Sequence, residues 1–395
     1  MPSFSKSASS MRSSAIRELL SVAVRPDVIS FAGGMPNNDL FPIKELDEIY
    51  QTIPLEIKQE GFQYGPTGGY PPLLKSLSRF LESKGLPVKE NRLMITTGSL
   101  QAISLIGKIY LDPGDVALVE NPCFIGAISA FKSYQAELVG MPMDADGVIV
   151  ADLRHALSQH KDKCKVVYLT PNFHNPAGLI YSRQRRQEVL AALHGHDVIL
   201  LEDDAYSELY FAESDRDLTR PLKTMGPEPV AMCYCGSFSK IFGPGMRLGW
   251  LLGPEEIIRQ CEVAKQSIDA CAPTFTQMLA NEFLVQEKLV EYLQRIRPIY
   301  RRRCHLLLDH LQKHMPEGVT WNVPLGGFYI WVKLPPGMDA GEVLTRSAAQ
   351  GAIFVVGKTF DPQGVVNDHI RLSFCHMPEE KMEQGVRIIA EAIKK

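Results

Sequence analysis

The chain has 395 residues, enough for one large domain and a smaller one, since single domains usually contain ~100–200 residues. Its 42 basic and 45 acidic side chains give a formal net charge of −3, so no basic excess favours a nucleic-acid or membrane partner. No apolar run is long enough to cross a bilayer, and the eight cysteines form no CxxC pair, which favours a reduced cytoplasmic protein without a metal site.

Short apolar segments bounded by Gly, Pro, Asn or Asp predict strands in the first two thirds of the chain. They cover residues 93–96, 116–119, 166–169, 198–201, 231–235 and 248–251. Stretches with helical spacing alternate with them, including residues 100–110, 126–134 and 182–194. This alternation predicts an α/β fold with a mostly parallel sheet covered on both faces. Ligands are expected beyond the carboxyl ends of its strands.

The pattern changes after a largely helical stretch around residues 257–311. Strands are predicted at residues 319–323, 327–333, 353–356 and 369–374, with helices at 340–350 and 379–394. This mixture predicts a smaller α+β domain at the C-terminus, joined to the large domain by the helical stretch.

The clearest chemical motif follows the strand predicted at 231–235. It is Gly236-Ser237-Phe238-Ser239-Lys240, and Arg247 comes seven residues later, after a glycine-rich bend. Two hydroxyls and an arginine that converge on one point can hold a phosphate. A lysine beside them can form an imine with an aldehyde on the same ligand. The alternative is a surface lysine in a Gly-Pro loop.

This lysine segment resembles the signature of fold-type I pyridoxal 5′-phosphate (PLP) enzymes, specifically the class I aminotransferases. Residues 14–20, 30–36 and 64–70 resemble the 2-aminoadipate branch, which includes the kynurenine/2-aminoadipate enzymes. The resemblance implies a seven-stranded, mostly parallel central sheet flanked by helices, plus the smaller α+β domain. It also implies an N-terminal segment (1–45) that packs with the small domain, a large PLP-binding domain (46–290) and a C-terminal small domain (291–395).

The resemblance further assigns residues to the cofactor, which Lys240 carries as a Schiff base. Asp203 is expected to pair with the pyridine nitrogen, and Tyr206 and Asn175 to bond the phenolic oxygen. The other expected cofactor contacts are Ser99, Leu100, Ser237, Ser239 and Arg247 around the phosphate, Phe124 stacked on the ring, and Tyr64 from the neighbouring subunit. Without the resemblance, Asp203 could equally cap a helix, Phe124 could be a core residue, and Asn175-Pro176 could be an ordinary turn.

Substrate contacts are expected at Arg371, Asn175, Gly34 and Arg17. Arg371 is flanked by apolar strand residues, and a buried arginine needs an anionic partner; the resemblance makes that partner the substrate α-carboxylate, and a structural ion pair is the alternative. Gly34 allows close approach of the backbone to substrate. Arg17 is expected to meet the distal carboxylate of an acidic substrate, and the alternative is a solvated helix arginine.

These roles predict an aminotransferase that moves an α-amino group between an amino acid and a 2-oxo acid by ping-pong kinetics. Lys240 is expected to move the α-proton, with Asp203 and Tyr206 as further catalytic groups, in a homodimer with shared active sites. The acceptor is expected to be 2-oxoglutarate, and 2-aminoadipate, glutamate, kynurenine, aromatic and branched-chain donors stay open. The alternatives are another fold-type I PLP enzyme, such as a β-lyase or decarboxylase, and a non-catalytic PLP-binding regulatory module.

Overall fold

The computed structural model of the protein describes residues 2–10 and 28–394. Its strands are β1 (Ile29–Ser30), β2 (Arg92–Thr96), β3 (Val116–Asn121), β4 (Glu137–Asp144), β5 (Gly147–Val148), β6 (Cys164–Leu169), β7 (Ile199–Asp204), β8 (Ala231–Ser237), β9 (Gly249–Gly253), β10 (Thr320–Trp321), β11 (Tyr329–Lys333), β12 (Ala352–Ile353), β13 (Val355–Val356) and β14 (His369–Ser373). Its α-helices are α1 (Lys6–Ser10), α2 (Ile43–Thr52), α3 (Leu55–Gly61), α4 (Pro71–Ser83), α5 (Ser99–Tyr110), α6 (Ile125–Ser133), α7 (Val150–Gln159), α8 (Arg183–Leu193), α9 (Glu255–Gln266), α10 (Thr274–Val285), α11 (Lys288–His314), α12 (Ala340–Ala348) and α13 (Glu379–Lys394).

A central sheet holds the large part of the molecule together, with strand order β2-β9-β8-β7-β6-β3-β4-β5. The run from β8 to β4 is parallel, whereas β9 is antiparallel to both β8 and β2. The α/β class and the mostly parallel sheet predicted from the sequence are confirmed. The seven expected strands are present, and the two-residue β5 adds a short eighth at one edge.

Alternate residues of the central strands serve two separate cores. Ala117 and Val119 of β3 pack in one apolar cluster with residues of α5 and α6, such as Ile103 and Phe131. The intervening Val116 and Leu118 pack in another cluster, with residues of α7 and α8. Because the strand period is two, each face of the sheet needs its own helical layer, and this explains why both faces of β3 are apolar.

The structure differs from the predicted strands at β4 and at residues 353–356. Strand β4 was not predicted, because Gly140 and Pro142 interrupt its apolar pattern and several of its side chains are exposed. The single strand predicted at 353–356 is wrong, since the chain changes partner at the buried Phe354. Before it, β12 pairs in parallel with β1; after it, β13 pairs with β14.

The C-terminal part contains a four-stranded antiparallel sheet, ordered β10-β11-β14-β13. The predicted helical stretch at 257–311 consists of three helices, α9 to α11, and the 27-residue α11 contributes Leu307 and Leu311 to the core shared with α13. Because α11 runs across residue 290, the domain limits drawn from the sequence stay a prediction. Within the described ranges, no helix is long and apolar enough to cross a membrane.

The topology brings the polar motifs to one edge. Strands β3, β6, β7 and β8 run in the same direction, so the residues that follow them meet at their carboxyl ends. The α5 N-terminus joins them there, because β2 lies beside β9 and leads directly into Gly98 and Ser99.

Candidate active site

A cavity of about 380 Å³ lies at this edge. The residues predicted from the sequence that line it are Gly34, Ser99, Leu100, Phe124, Asn175, Asp203, Tyr206, Ser237, Ser239, Lys240, Arg247 and Arg371. Tyr64 does not line it and is 85% exposed. Arg17 lies outside the described residues. The structure therefore brings together twelve predicted residues from eight separate stretches of sequence, while the roles assigned to them stay predictions.

Lys240 follows β8 by three residues, in a turn that places its side chain inside the cavity. Its Nζ donates a hydrogen bond to the carbonyl oxygen of Gly34 at 2.8 Å. Burial lowers the pKa of Lys240 to about 8, and the positive charges of Arg371 and Arg247 act in the same direction. An appreciable fraction of this amine is therefore neutral near physiological pH, as a nucleophile or general base requires.

Beside Lys240, a cradle for an anion forms where β2 passes into α5. The helix begins at Ser99, so the N–H groups of its first turn have no acceptor within the helix. Gly98 has φ +78°, and a Cβ there would lie 2.8 Å from Nη2 of Arg247. A Cβ on Gly249 would lie 2.7 Å from the backbone nitrogen of Ser99. The two glycines thus let Arg247 and β9 approach the start of α5 closely, and Gly98, Ser99 and Arg247 all line the cavity. N–H groups of a helix N-terminus and a guanidinium at one place are the donors that suit a phosphate.

Three consecutive acids end β7, and each has different partners. Glu202 accepts hydrogen bonds from the backbone N–H groups of Leu222 and Lys223. Asp204 accepts from the N–H of Ser207 at 3.0 Å and from the hydroxyl of Tyr234 at 2.7 Å. Asp204, and not Asp203, therefore accepts the first N–H of the short 3-10 helix at Ser207–Leu209.

Asp203 is the acid of this trio that lines the cavity. The hydroxyl of Tyr168 donates to its Oδ2 at 2.7 Å, and the Cys235 thiol lies 3.6 Å from Oδ1. Burial raises the pKa of Asp203 to about 6. Because the ionised carboxylate is poorly solvated here, a cationic ring nitrogen in the cavity would relieve the cost of its burial.

Arg371 of β14 is 2% exposed, yet no carboxylate within the described residues forms an ion pair with it. Its Nη1 donates to Oδ1 of Asn175 at 2.8 Å and its Nη2 to the carbonyl oxygen of Ala32 at 2.7 Å. Its buried Nε has no hydrogen-bond partner in the described chain. A structural ion pair, the alternative considered for this arginine, is absent from that part, and the guanidinium still needs an anion.

Asn175 stands in a loop whose shape depends on a buried network. The Nε2 of His174 lies 3.1 Å from Oε2 of Glu120, and its Nδ1 accepts the N–H of Ala177 at 3.1 Å. The hydroxyl of Tyr181 also donates to Glu120. His174 therefore fixes the loop and does not line the cavity. Because Arg371 occupies the carbonyl oxygen of Asn175, the amide Nδ2 is left as the donor.

Tyr329 and Thr170 also line the cavity and were missed in the sequence. The Tyr329 hydroxyl lies 3.1 Å from that of Tyr206, and the Arg371 guanidinium lies 4.3 Å from the centre of the Tyr329 ring. The only local signal for Tyr329 was its position after Gly326 and Gly327. Its proximity to Arg371 depends on the β11–β14 register, in which Tyr329 pairs with Ser373.

Comparison with known proteins agrees with this geometry. The family model for aminotransferase class I and II matches residues 26–389. The chain is 36% identical to aromatic-amino-acid aminotransferase 1 of Thermococcus litoralis, over 99% of this chain and 94% of that protein. It is 34% identical to 2-aminoadipate transaminase of Thermus thermophilus, over 99% and 96%.

Among solved structures, kynurenine aminotransferase of Pyrococcus horikoshii, in complex with PMP, is 38% identical with a TM-score of 0.94, over 99% of this chain and 96% of that one. The fold-type I architecture, the resemblance to the 2-aminoadipate and kynurenine branch and the prediction of an aminotransferase are confirmed. The chain belongs to the class I and II aminotransferase family.

Proposed function

We propose that this aminotransferase carries pyridoxal 5′-phosphate on Lys240 and exchanges the α-amino group of an amino acid with a 2-oxo acid. The observation that carries the proposal is a half-buried lysine with a pKa of about 8 beside an anion cradle. The same cavity also holds a buried acid and an arginine nitrogen without a hydrogen-bond partner among the described residues. Pyridoxal phosphate fits each of these features. Its phosphate would lie in the anion cradle, its ring nitrogen would pair with Asp203, and its aldehyde would bond to Lys240. When bound, it supplies a ring that withdraws electrons from the substrate α-carbon.

The residues of this chain then divide the work. With the cofactor bound, Asp203 would hold a proton on the ring nitrogen, and Tyr206 and the Nδ2 of Asn175 would donate to the phenolic oxygen. Phe124 would cover one face of the ring. Lys240 would anchor the aldehyde, and as a free amine its Nζ would move the proton of the substrate α-carbon. The carbonyl oxygen of Gly34 lies 2.8 Å from the Nζ of Lys240, so it can accept a hydrogen bond from this amine while the lysine is not bonded to the cofactor.

Arg371 is the proposed anchor for every substrate, because the α-carboxylate is common to all amino acids and 2-oxo acids. Its Nε, which has no partner in the part of the chain that the structure describes, would donate to one carboxylate oxygen. The relatives are named for aromatic amino acids, 2-aminoadipate and kynurenine. We propose donors from this range, with 2-oxoglutarate as the acceptor and Arg17 as the contact for a distal carboxylate.

A donor-by-acceptor panel tests this function. Purified holoenzyme is mixed with one amino acid at a time, and the absorption of the cofactor is followed until the amine form accumulates; each 2-oxo acid is then added to restore the original spectrum. Arg371→Ala should raise the apparent KM for all donors alike. Arg17→Ala should lower kcat/KM for 2-aminoadipate and glutamate by roughly 10- to 150-fold and for phenylalanine much less. Elimination or decarboxylation products without the amine form would contradict amino transfer.

We further propose a homodimer in the cytoplasm. All eight cysteines are free, which suits a reducing compartment. Tyr64 is exposed in the single chain, as expected of a residue that completes the phosphate site of a neighbouring subunit.

A further inference from the structure

Two histidines and a glutamate meet between α11 and α13. Within residues 2–10 and 28–394, His310, His314 and Glu383 form one group of possible metal ligands whose nitrogen and oxygen atoms all lie within 4.8 Å of one another. None of the three lines the cavity at Lys240. We propose that they bind a divalent transition-metal ion of the zinc class, at a site that is independent of amino transfer.

The spacing of the two histidines places both rings on one face of α11. Residues four apart on a helix are neighbours, and here the ring centroids are 6.5 Å apart with an interplanar angle of 26°. Glu383 reaches the same point from α13, and its Oε1 lies 2.9 Å from Nε2 of His314. The site is therefore formed by two helices that are far apart in sequence, so an ion would link them.

The donor set selects the ion. Imidazole nitrogens suit zinc, copper, cobalt and nickel, whereas Mg²⁺ and Ca²⁺ require mainly oxygen ligands. Bonds of ~2.1 Å in a tetrahedral site separate ligand atoms by about 3.4 Å, so closing the present 4.8 Å needs only small side-chain rotations. All three side chains are half-buried and are not locked in the core. Three protein ligands leave the fourth position to water.

The two helices are already held in place on the N-terminal side of this cluster. The buried Arg303 of α11 donates through Nε to the carbonyl oxygen of Phe374 at 2.8 Å, and its Nη1 lies 3.3 Å from Glu379 of α13. Leu307 and Leu311, which follow Arg303 on α11, are also fully buried. The ligands are thus presented by a preformed frame, and the ion adds a cross-link to it instead of assembling the fold.

Lys313 competes for the same carboxylate. Its Nζ lies 2.7 Å from Oε1 of Glu383, but its side chain is 65% exposed and can turn into solvent when an ion binds. Removing this positive charge should favour a cation. We therefore expect Lys313→Gln to bind the metal more tightly than the parent, whereas a purely structural cluster would give no such gain.

The test uses full-length, tag-free holoenzyme, dialysed against chelator and titrated with Zn²⁺ by calorimetry, and with Co²⁺ by visible absorption. One ion per chain is expected, with no comparable binding of Mg²⁺. His310→Ala, which removes a ring without any hydrogen bond to the described chain, and Glu383→Gln should each weaken Zn²⁺ binding at least about tenfold. The exposed His305 on the same helix gives the matched control, His305→Ala, which should bind as the parent does.

A second readout is thermal. Zn²⁺ should raise the Tm of the parent in a concentration-dependent way and leave the Tm of His310→Ala unchanged, while transaminase activity without metal is the same in both. Zinc affinity that is equal in the parent and His310→Ala, or no binding at millimolar Zn²⁺, overturns the site. Since activity is measured separately, failure here does not touch the proposed function.

Discussion

At the residue scale, identical side chains next to each other have different chemistry because their surroundings differ. Asp203 and Asp204 are adjacent and both buried, yet Asp204 is held by Ser207, Tyr234 and a lysine 3.7 Å away, whereas Asp203 faces the cavity. The sequence could indicate a pair of acids after a strand but could not rank them. Only strand direction and the positions of the partners separate the two roles.

The Asp203→Asn substitution should therefore stabilise the apoenzyme while it inactivates the holoenzyme. The pKa of the folded carboxyl, about 6, exceeds the unfolded value of about 3.9, so its contribution to stability is full below pH 4 and is lost as the pH rises through 6. At pH 7.5 the asparagine should recover on the order of 3 kcal/mol of unfolding free energy. Denaturant unfolding of the apoenzyme between pH 4 and 8 measures this difference.

The same variant should lose at least about a hundredfold in kcat, because the ring nitrogen no longer has an anionic partner. Asp204→Asn is the matched control: it should lower stability, through the lost ion pair with Lys84, and retain most of the turnover. A greater loss of kcat in Asp204→Asn than in Asp203→Asn would show that Asp204, and not Asp203, contacts the ring nitrogen.

The amine of Lys240 should titrate near pH 8 in the apoenzyme. Burial disfavours its charged form, so the neutral amine should predominate above pH 8 instead of above the ordinary value of about 10.4. Trace labelling with acetic anhydride across pH 6–11, followed by mass spectrometry, reports the neutral fraction against an added lysine peptide. If Lys240 and the added peptide were labelled with the same midpoint near pH 10, the site would not lower the pKa of Lys240.

At the scale of elements, the glycine that joins β2 to α5 controls access to the helix N-terminus. Gly98 has φ +78° and ψ 165°, a conformation almost restricted to glycine. Gly98→Ala should weaken binding of pyridoxal phosphate at least about tenfold, because the new methyl would push Arg247 from the cradle. Fluorescence titration of the apoenzyme measures the Kd.

Gly114→Ala serves as the control for Gly98→Ala. Gly114 also has positive φ, +91°, but a Cβ there would meet nothing within 4 Å. This variant should be less stable without a change in cofactor affinity. Equal effects of the two substitutions on the Kd would mean that backbone strain alone, and not the opening of the cradle, explains the result.

Most elements could be predicted from the sequence because local patterns determine them. The strands at the centre of the sheet are continuous apolar runs, and the helix at 379–394 agrees with α13 residue for residue. Strand β4 could not be predicted because Gly140 and Pro142 interrupt its apolar pattern. The partner change at Phe354 could not be predicted because it depends on which neighbouring strand offers free hydrogen-bonding groups. Tyr329 was not predicted because strand register, and not a local sequence motif, places it in the site.

At the scale of the whole molecule, the cavity within one chain is lined by every residue predicted to contact the cofactor except Tyr64. Hybrid dimers test its donation across subunits. Lys240→Ala subunits keep Tyr64, and Tyr64→Ala subunits keep Lys240, so random 1:1 mixing should restore about a quarter of wild-type activity if each site draws on both chains. No recovery, with subunit exchange confirmed by mass spectrometry, would place Tyr64 in the site of its own chain.

The central claim is that Lys240 joins the cofactor to this aminotransferase, and borohydride reduction tests it most directly. The holoenzyme is reduced, digested and analysed by mass spectrometry, with unreduced enzyme in parallel. We predict a phosphopyridoxyl group on Lys240 in the reduced sample, and loss of both that adduct and transamination in Lys240→Ala. A reduced adduct on a different lysine, or full transamination by Lys240→Ala, would contradict the account.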